Sequence, residues 1–457
     1  MATRPLNLVE GNIPRTLFSL SYPSMLGMGF YMVYDLVDLF WIGMISTEAI
    51  AGVTVFSALF WVVSALNDVI GQSSISLISQ NHSRKDKLAT NLSIEQTITF
   101  KFFVAFIAAL LIAIFMEPIL SLFSEDQAVV NAATDYGYLR LFFLPVMFAS
   151  YSVGTALRCI GDAKTPMKIM FFSSFLNITL DPLLIFETVP FTSIPGAGLG
   201  VFGAAVATVI SESLGFLIGM FYLFSGRAGV NPRFKGLFCL HWPTDRKLLT
   251  IGLPIGIESF LRHLSNLVVL QFVALYGTTA LAAGGIGTRL LGFIFIPLFG
   301  LHMAAAAMIG QNLGINNLER AVKTAKTAGL FGALFAIGFG LICILFGEQM
   351  IGVFDSSPEI MEMGAALLKI VSVGLVPLGF TYGLSACFGG SGHNSPFAVA
   401  SLTARWLLQL PLLIVAVHVF NMPIIVVWIS YALADIAESV ILYLFYKQGK
   451  WMLRRVY

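Results

Sequence analysis

Two polar pairs inside otherwise apolar segments set the chemical question. Asp35 and Asp38 lie three apart in "YDLVDLFWIG" (34–43), and Asn177 and Asp181 lie four apart in "NITLDPLLIF" (177–186). On a helix, three residues are about 300° of rotation, so the two acids fall within roughly 60° of each other; the second pair shares a face in the same manner. Two carboxylates in a low-dielectric interior oppose each other's ionisation, which suits the pair to holding a proton near neutral pH. Carboxylates beside amide and hydroxyl oxygens also suit a hard cation such as sodium. Acids inside a membrane are costly and typically mark ion or substrate pathways. The plainer reading is that each is a structural acid satisfied by a neighbour.

The elements that must position these groups are membrane helices. The 457 residues are 57% hydrophobic, above the roughly 45–50% of soluble domains, and only 11% are charged. Apolar runs of about twenty residues recur, each long enough to cross about 30 Å of hydrocarbon. Twelve spans are expected at about 14–43, 49–80, 94–116, 131–159, 167–187, 200–224, 247–276, 279–310, 322–346, 362–388, 396–417 and 423–447. Twenty of the 26 Lys and Arg fall at the termini or in the connections after spans 2, 4, 6 and 8, as in "HSRKDK" (82–87). The alternate connections have none, while "FSEDQ" and "FDSSPE" are acidic. The positive-inside rule then makes both termini cytoplasmic, in a multi-pass protein of the cell membrane. The N-terminus lacks the features of a cleaved signal peptide, so the first span is expected to stay. Cys159, Cys239, Cys343 and Cys387 are scattered without metal-ligand spacing and read as unpaired packing residues. No Walker motif appears, which disfavours ATP-driven pumping.

The chain repeats itself. A shift of 231 residues brings Pro23 onto Pro254, Gln80-Asn81 onto Gln311-Asn312 and Phe123 onto Phe354. The expected architecture is therefore all-α: a lobe of six helices (1–224), a cytoplasmic linker (225–246) and a second six-helix lobe (247–457). A pseudo-two-fold along the membrane normal would relate them around a central cavity. The acids break the symmetry, because Asp35 meets Asn266, Asp38 meets Val269, and Asp181 meets Leu410. Asp38 and Asp181 each precede the outer end of their span by about six residues, or about 9 Å, so acids from two helices arrive at one depth.

With these residues in hand, the whole chain resembles the multidrug and toxic compound extrusion (MATE) transporters. The likeness rests on "YDLVDLFWIG", "GDAKTPMK" after span 4, "NITLDPLLIF" in span 5 and "GAAVATVISE" in span 6. It is nearest the prokaryotic branch related to the DNA-damage-inducible F proteins. The resemblance implies that Asp38, Asn177 and Asp181 are coupling-site residues, with Tyr34 and Thr208 at neighbouring site positions. Asp35 departs from the family's Asn and adds a second acid. Arg262-His263 stand near where another branch places a coupling Glu, which puts a C-lobe mechanism in doubt.

The expected function is a secondary-active exporter of bulky cationic or amphipathic compounds, not an enzyme. It would be driven by inward protons or sodium, without a cofactor or resident metal. Protonation of Asp38 and Asp181, with Asp35 beside them, would neutralise the cavity. Pro23 and Pro182 each remove a helical hydrogen bond and permit a bend. Partners are small molecules and the lipid bilayer, with no nucleic acid, and the protein is expected to be a monomer. Glu212, Glu258, Arg262, Arg289, Arg405, Asp435 and Glu438 are candidates for charge networks between helices, and Asp68 is expected to be solvated near the cytoplasmic end of span 2. The alternative is a lipid-linked oligosaccharide flippase of the same superfamily, for which Arg262, Arg289 and Arg405 would supply a pyrophosphate site. A membrane-embedded prenyl-transferring enzyme, with "DLVD" holding magnesium-diphosphate, fits less well because cytoplasmic acids and basic partners are missing.

Overall fold

The structure is a computed structural model that describes residues 5–121, 123 and 126–456. Ser124 and Glu125 of the acidic connection, and Arg4, lie outside the described residues. The first half contains α1 (Ile13–Gly43), α2 (Thr47–Ser83), α3 (Lys87–Ser121), α4 (Gln127–Phe142), α5 (Leu144–Cys159), α6 (Lys164–Ile185) and α7 (Gly200–Phe224). A short 3-10 turn, Phe234–Phe238, interrupts the connection to the second half. There follow α8 (Trp242–Ala274), α9 (Thr278–Gly292), α10 (Phe295–Gly314), α11 (Leu318–Gly352), α12 (Pro358–Leu384), α13 (Ala386–Ser391), α14 (Ser395–Ser401), α15 (Leu410–Ile414) and α16 (Ile425–Lys447).

Local chemistry explains where these helices begin. Ser46 caps α2 by accepting from the Ala49 amide, Asp126 caps α4 through the Ala128 amide, and Asn317 caps α11 through the Arg320 amide. Glu48 and Glu319 place negative charge in the first turns of α2 and α11, against the positive end of the helix dipole. Pro358 opens α12 where a missing amide costs nothing.

Among the described residues, nine spans are long and apolar enough to cross a membrane, and two bent helix pairs raise that to eleven. The remaining expected span, 247–276, is α8, which carries Glu258, Arg262 and His263 along its length. Several spans expected to be continuous are broken. The fourth splits into α4 and α5, bent by 54°, because Pro145 in the first turn of α5 cannot donate back to α4. The eighth divides into α9 and α10 just ahead of Pro297. The eleventh alternates α14 and α15 with two π-helical stretches, Leu402–Gln409 and Val415–Val419. By contrast α1 and α6 remain single helices through Pro23 and Pro182.

The chain divides into two compact units, Met1–Leu6 with Leu26–Thr250, and Asn7–Met25 with Ile251–Tyr457. The division differs from a simple cut in the linker. The start of α1, including Pro23, belongs to the second unit, and the linker belongs wholly to the first. In the first unit Ile42, Phe56, Tyr136, Phe148 and Ile185 join one apolar core. In the second, Leu298, Leu367, Leu378, Leu413 and Trp428 do so. There α11 and α12 touch backbone to backbone: a Cβ on Gly332 would collide with the Gly379 carbonyl, and one on Gly383 with the Ala328 carbonyl. Small residues are how membrane helices gain such close packing.

Candidate functional site

Four helices of the first unit bring the sequence's polar residues together. Asp38 near the C-terminal end of α1 is buried, and its Oδ2 accepts a hydrogen bond from the Tyr136 hydroxyl on α4 at 3.3 Å. Tyr136 and Arg140 are one helical turn apart on α4, and Arg140 Nη1 donates to the Tyr136 oxygen at 2.7 Å. The guanidinium also lies 5.2 Å from the centre of the Phe60 ring, a cation–π distance. On α6, Asn177 Nδ2 donates to Asp181 Oδ1 at 3.3 Å and to Thr208 Oγ1 on α7 at 3.4 Å. Thr208 in turn donates to the Ala204 carbonyl one turn back, which leaves its oxygen free to accept. Charge–charge interaction links Asp38 with Asp181, Arg140 and Asp35.

Tyr34 is buried too, but its hydroxyl donates to Glu212 on α7 at 3.2 Å, and its ring meets Tyr31 edge-on at 4.8 Å. Asp35 differs from its neighbour: it is exposed, with Arg140 as its electrostatic partner. The two acids of "DLVD" thus share an arginine but not a degree of burial. Pro182 follows Asp181 within α6, whereas Pro23 sits on the part of α1 grouped with the second unit.

Three acceptor oxygens at this site are buried without a hydrogen-bond donor among the described residues: Asp38 Oδ1, Asn177 Oδ1 and Asp181 Oδ2. Leaving each unpaired costs about 1–3 kcal/mol, more for a charged group. A bound proton or a hard cation removes that cost, and the donor set of two carboxylates, an amide oxygen and a hydroxyl is the kind sodium accepts. No group of three or more His, Cys, Asp or Glu side chains disposed to hold a metal ion occurs among the described residues.

Sequence reasoning missed Tyr136 and Arg140. The signal was present, since Arg140 is one of only six Lys or Arg outside the basic connections and termini, with Lys101, Arg262, Arg289, Lys369 and Arg405. Lys101 is likewise fully buried on α3, its ammonium 4.5 Å from the Tyr151 ring centre and in charge interaction with Asp68 and Arg158. Asp68 is therefore half-buried beside a cation rather than solvated, because α2 runs on to Ser83.

The expected charge network appears in the second unit. Arg262 on α8 pairs with Glu258 at 2.5 Å and with Glu438 on α16 at 2.6 Å. Arg405, inside the first π-helical stretch, pairs with Asp435 at 3.1 Å and with Glu438 at 3.3 Å. Glu438 thus bridges both arginines. Arg289 is exposed on α9, and Lys369 meets Glu348 at 3.8 Å on the surface.

Comparison with known proteins adds a family to this geometry. The MatE family model matches twice, over residues 23–183 and 254–415, its two matches starting at the same 231-residue offset as the internal repeat. The chain is 29% identical over 423 residues to the probable multidrug resistance protein YoeA of Bacillus subtilis, covering 91% of this chain and 88% of that one. It is 27% identical over 446 residues to the probable multidrug resistance protein NorM of Thermotoga maritima, covering 97% and 94%. A solved outward-facing structure of a multidrug resistance MATE family transporter of the MOP superfamily superposes with a TM-score of 0.88 at 22% identity, covering 98% of each chain. The twelve-helix fold is common to both.

Proposed function

This chain belongs to the MatE family of multi-pass membrane transporters, and from that premise we propose that it exports bulky cationic or amphipathic compounds in exchange for inward-moving protons. Sodium is the alternative coupling ion. The single observation that carries this reading is the set of buried oxygens without donors on Asp38, Asn177 and Asp181, drawn from two helices and lying in one polar cluster. Such a set is poised to gain and lose a cation, because its empty form is strained by unmet hydrogen-bonding and its filled form is not.

A cycle follows from that chemistry. With the site deprotonated, Asp38, Asp181 and Glu212 give the surrounding surface a net negative character, only partly offset by Arg140, and a lipophilic cation is attracted. Tyr31 and Tyr34 offer aromatic faces for it. A proton arriving from outside neutralises the acids, releases the Tyr136 hydrogen bond to Asp38 and removes the attraction. Pro23 and Pro182 supply places where α1 and α6 bend as those contacts change. Asp35, exposed beside the cluster, adds charge to the approach rather than a ligand to the site.

The flippase alternative needs a cluster of arginines, but Arg262 and Arg405 are held by Glu258, Asp435 and Glu438 and have little positive charge left for a pyrophosphate, which leaves Arg289, exposed on α9, alone of the three. The deciding experiment is transport of a fluorescent lipophilic cation in proteoliposomes with independently imposed proton and sodium gradients. Export driven by the proton gradient alone is expected. Export indifferent to both gradients would refute ion-coupled antiport.

A further inference from the structure

The connection between α7 and α8 reads from sequence as a polar linker, yet the structure clamps it. Residues 231–241 run along the cytoplasmic end of α3 and are held by side chains of that helix. Asn91 Nδ2 donates to the Asn231 carbonyl at 3.0 Å, and Asn91 Oδ1 accepts from the Asn231 amide at 3.2 Å. Gln96 repeats the two-point grip, donating to the Cys239 carbonyl and accepting from the His241 amide, both at 2.8 Å. Between them Glu95 accepts from the Arg233 amide at 2.6 Å, and Thr99 donates to the Leu237 carbonyl at 3.1 Å. Gly236 leaves room for the Glu95 carboxylate, which a Cβ at that position would displace.

These bonds engage the strap's backbone and leave large side chains outside. Phe238 is 85% exposed and Trp242 64%, and Phe234 and Leu240 are also exposed. The charged groups presented with them are basic: Arg227, Arg233, Lys235, Arg246 and Lys247 are exposed, whereas Asp245, the lone acid between 225 and 250, is buried. Depth follows from α3. Thr99 is eight residues beyond Asn91, so the strap climbs about 12 Å along the helix to Leu237 before turning back to the level of Gln96 at Cys239 and His241. One turn beyond Thr99, α3 exposes Phe102, Phe103 and Phe106, the start of its lipid-facing surface. Aromatic rings joined to basic side chains at the edge of hydrocarbon match the headgroup zone of a bilayer.

We infer that residues 231–242 form an interfacial strap that seats Phe234, Phe238 and Trp242 in the cytoplasmic leaflet and holds anionic phospholipid headgroups with Arg233 and Lys235. The assignment is independent of the coupling acids and of which compound is exported. It makes the connection between α7 and α8 sensitive to lipid charge.

Cys239 provides the probe, since it is exposed while Cys159, Cys343 and Cys387 are buried. The full-length protein is labelled there with an environment-sensitive fluorophore and placed in phosphatidylcholine vesicles. These carry equal traces of headgroup-nitroxide phosphatidylglycerol or headgroup-nitroxide phosphatidylcholine. The expected result is weak quenching by aqueous iodide and stronger quenching by the anionic lipid, with a preference of about fivefold for each basic side chain engaged. Arg233→Gln with Lys235→Gln should remove that preference while leaving quenching by the neutral lipid. Strong iodide quenching without lipid quenching would show a solvated linker and overturn the inference. Equal quenching by both lipids in the unsubstituted protein would overturn the anionic headgroup site, with no variant needed.

Discussion

Tyr136 stands between Arg140 and Asp38, accepting a hydrogen bond from Arg140 at 2.7 Å and donating one to Asp38 at 3.3 Å. The arginine orients the phenol, so the phenolic proton points at the carboxylate. The buried guanidinium reaches Asp38 both by its charge and through this hydroxyl, and the two charges form no direct ion pair among the described residues. An acid held this way stays available to a proton, since a bidentate arginine would lock it ionised.

The first prediction tests that relay. Tyr136→Phe keeps the ring packed against Phe56 but removes the hydroxyl. A hydrogen bond to a charged group contributes about 1.5–3 kcal/mol, so the variant should fold and its gradient-driven export should fall about tenfold or more. Binding of a lipophilic cation, read by fluorescence polarisation, should change far less than transport. Unaltered export in proteoliposomes would show that Tyr136 only packs.

The second prediction separates the halves of the molecule. Asp38→Asn and Asp181→Asn should each abolish gradient-driven export while the protein remains monodisperse, since an amide keeps the shape but cannot exchange a proton. Asp35→Asn should retain export within about threefold, because Asp35 stands outside the hydrogen-bonded cluster of Asp38, Tyr136, Asn177 and Asp181. Glu258→Gln should be mild. Should Glu258→Gln alone stop transport while the Asp38 and Asp181 variants work, the coupling site would lie in the second unit.

How far the sequence carried this account depends on what signal each residue gives. Asp38, Asn177 and Asp181 were legible because a carboxylate in an apolar run is costly and its helical spacing fixes its face. The partners Tyr136 and Arg140 were not, since Asp38 and Tyr136 are 98 residues apart and periodicity carries no information about which faces meet. Tyr34 lies one turn before Asp38 on α1, and its hydroxyl bond to Glu212 on α7 is a partner the spacing could not name. The repeat predicted two halves, yet it could not show that the beginning of α1 groups with the second. The strap was hidden for a different reason: its grip uses backbone amides and carbonyls, which every residue has. Breaks at Phe143 and Phe293 were foreshadowed by nearby prolines, while the π-helical stretches had no marker in residue type.

The third prediction concerns the charge network of the second unit and ranks its members. Glu438 serves both Arg262 and Arg405, whereas Glu258 serves Arg262 alone. Glu438→Gln loosens both pairings at once, leaving Arg262 to Glu258 and Arg405 to Asp435, and should therefore lower the melting temperature in detergent more than Glu258→Gln does. Glu258→Gln should cost much less, because Glu438 still holds Arg262. Equal losses for the two variants would mean that Glu438 is not the bridge.

The last prediction fixes the direction in which the protein faces. Basic residues crowd the connections at Lys85 and Lys235, while the connection between α11 and α12 carries Asp355. Hydrogen bonds from the Ser357 side chain and amide hold Asp355 below the usual carboxylate range, so this connection stays negatively charged at any physiological pH. The positive-inside rule then puts Lys85 and Lys235 in the cytoplasm and Ser356 and Gln127 outside. All four positions are exposed, so single cysteines there, in a Cys239→Ser background, should react without unfolding the protein. A membrane-impermeant maleimide applied to intact cells should label Ser356→Cys and Gln127→Cys. Lys85→Cys and Lys235→Cys should react only after the cells are opened. The outcome matters for coupling, because Asp38 and Asp181 lie toward the end of their helices that the charge pattern assigns to the outside. Reversed accessibility would place those acids on the cytoplasmic side, where an inward proton gradient could not load them from outside, and the exchange direction proposed here would fail with it.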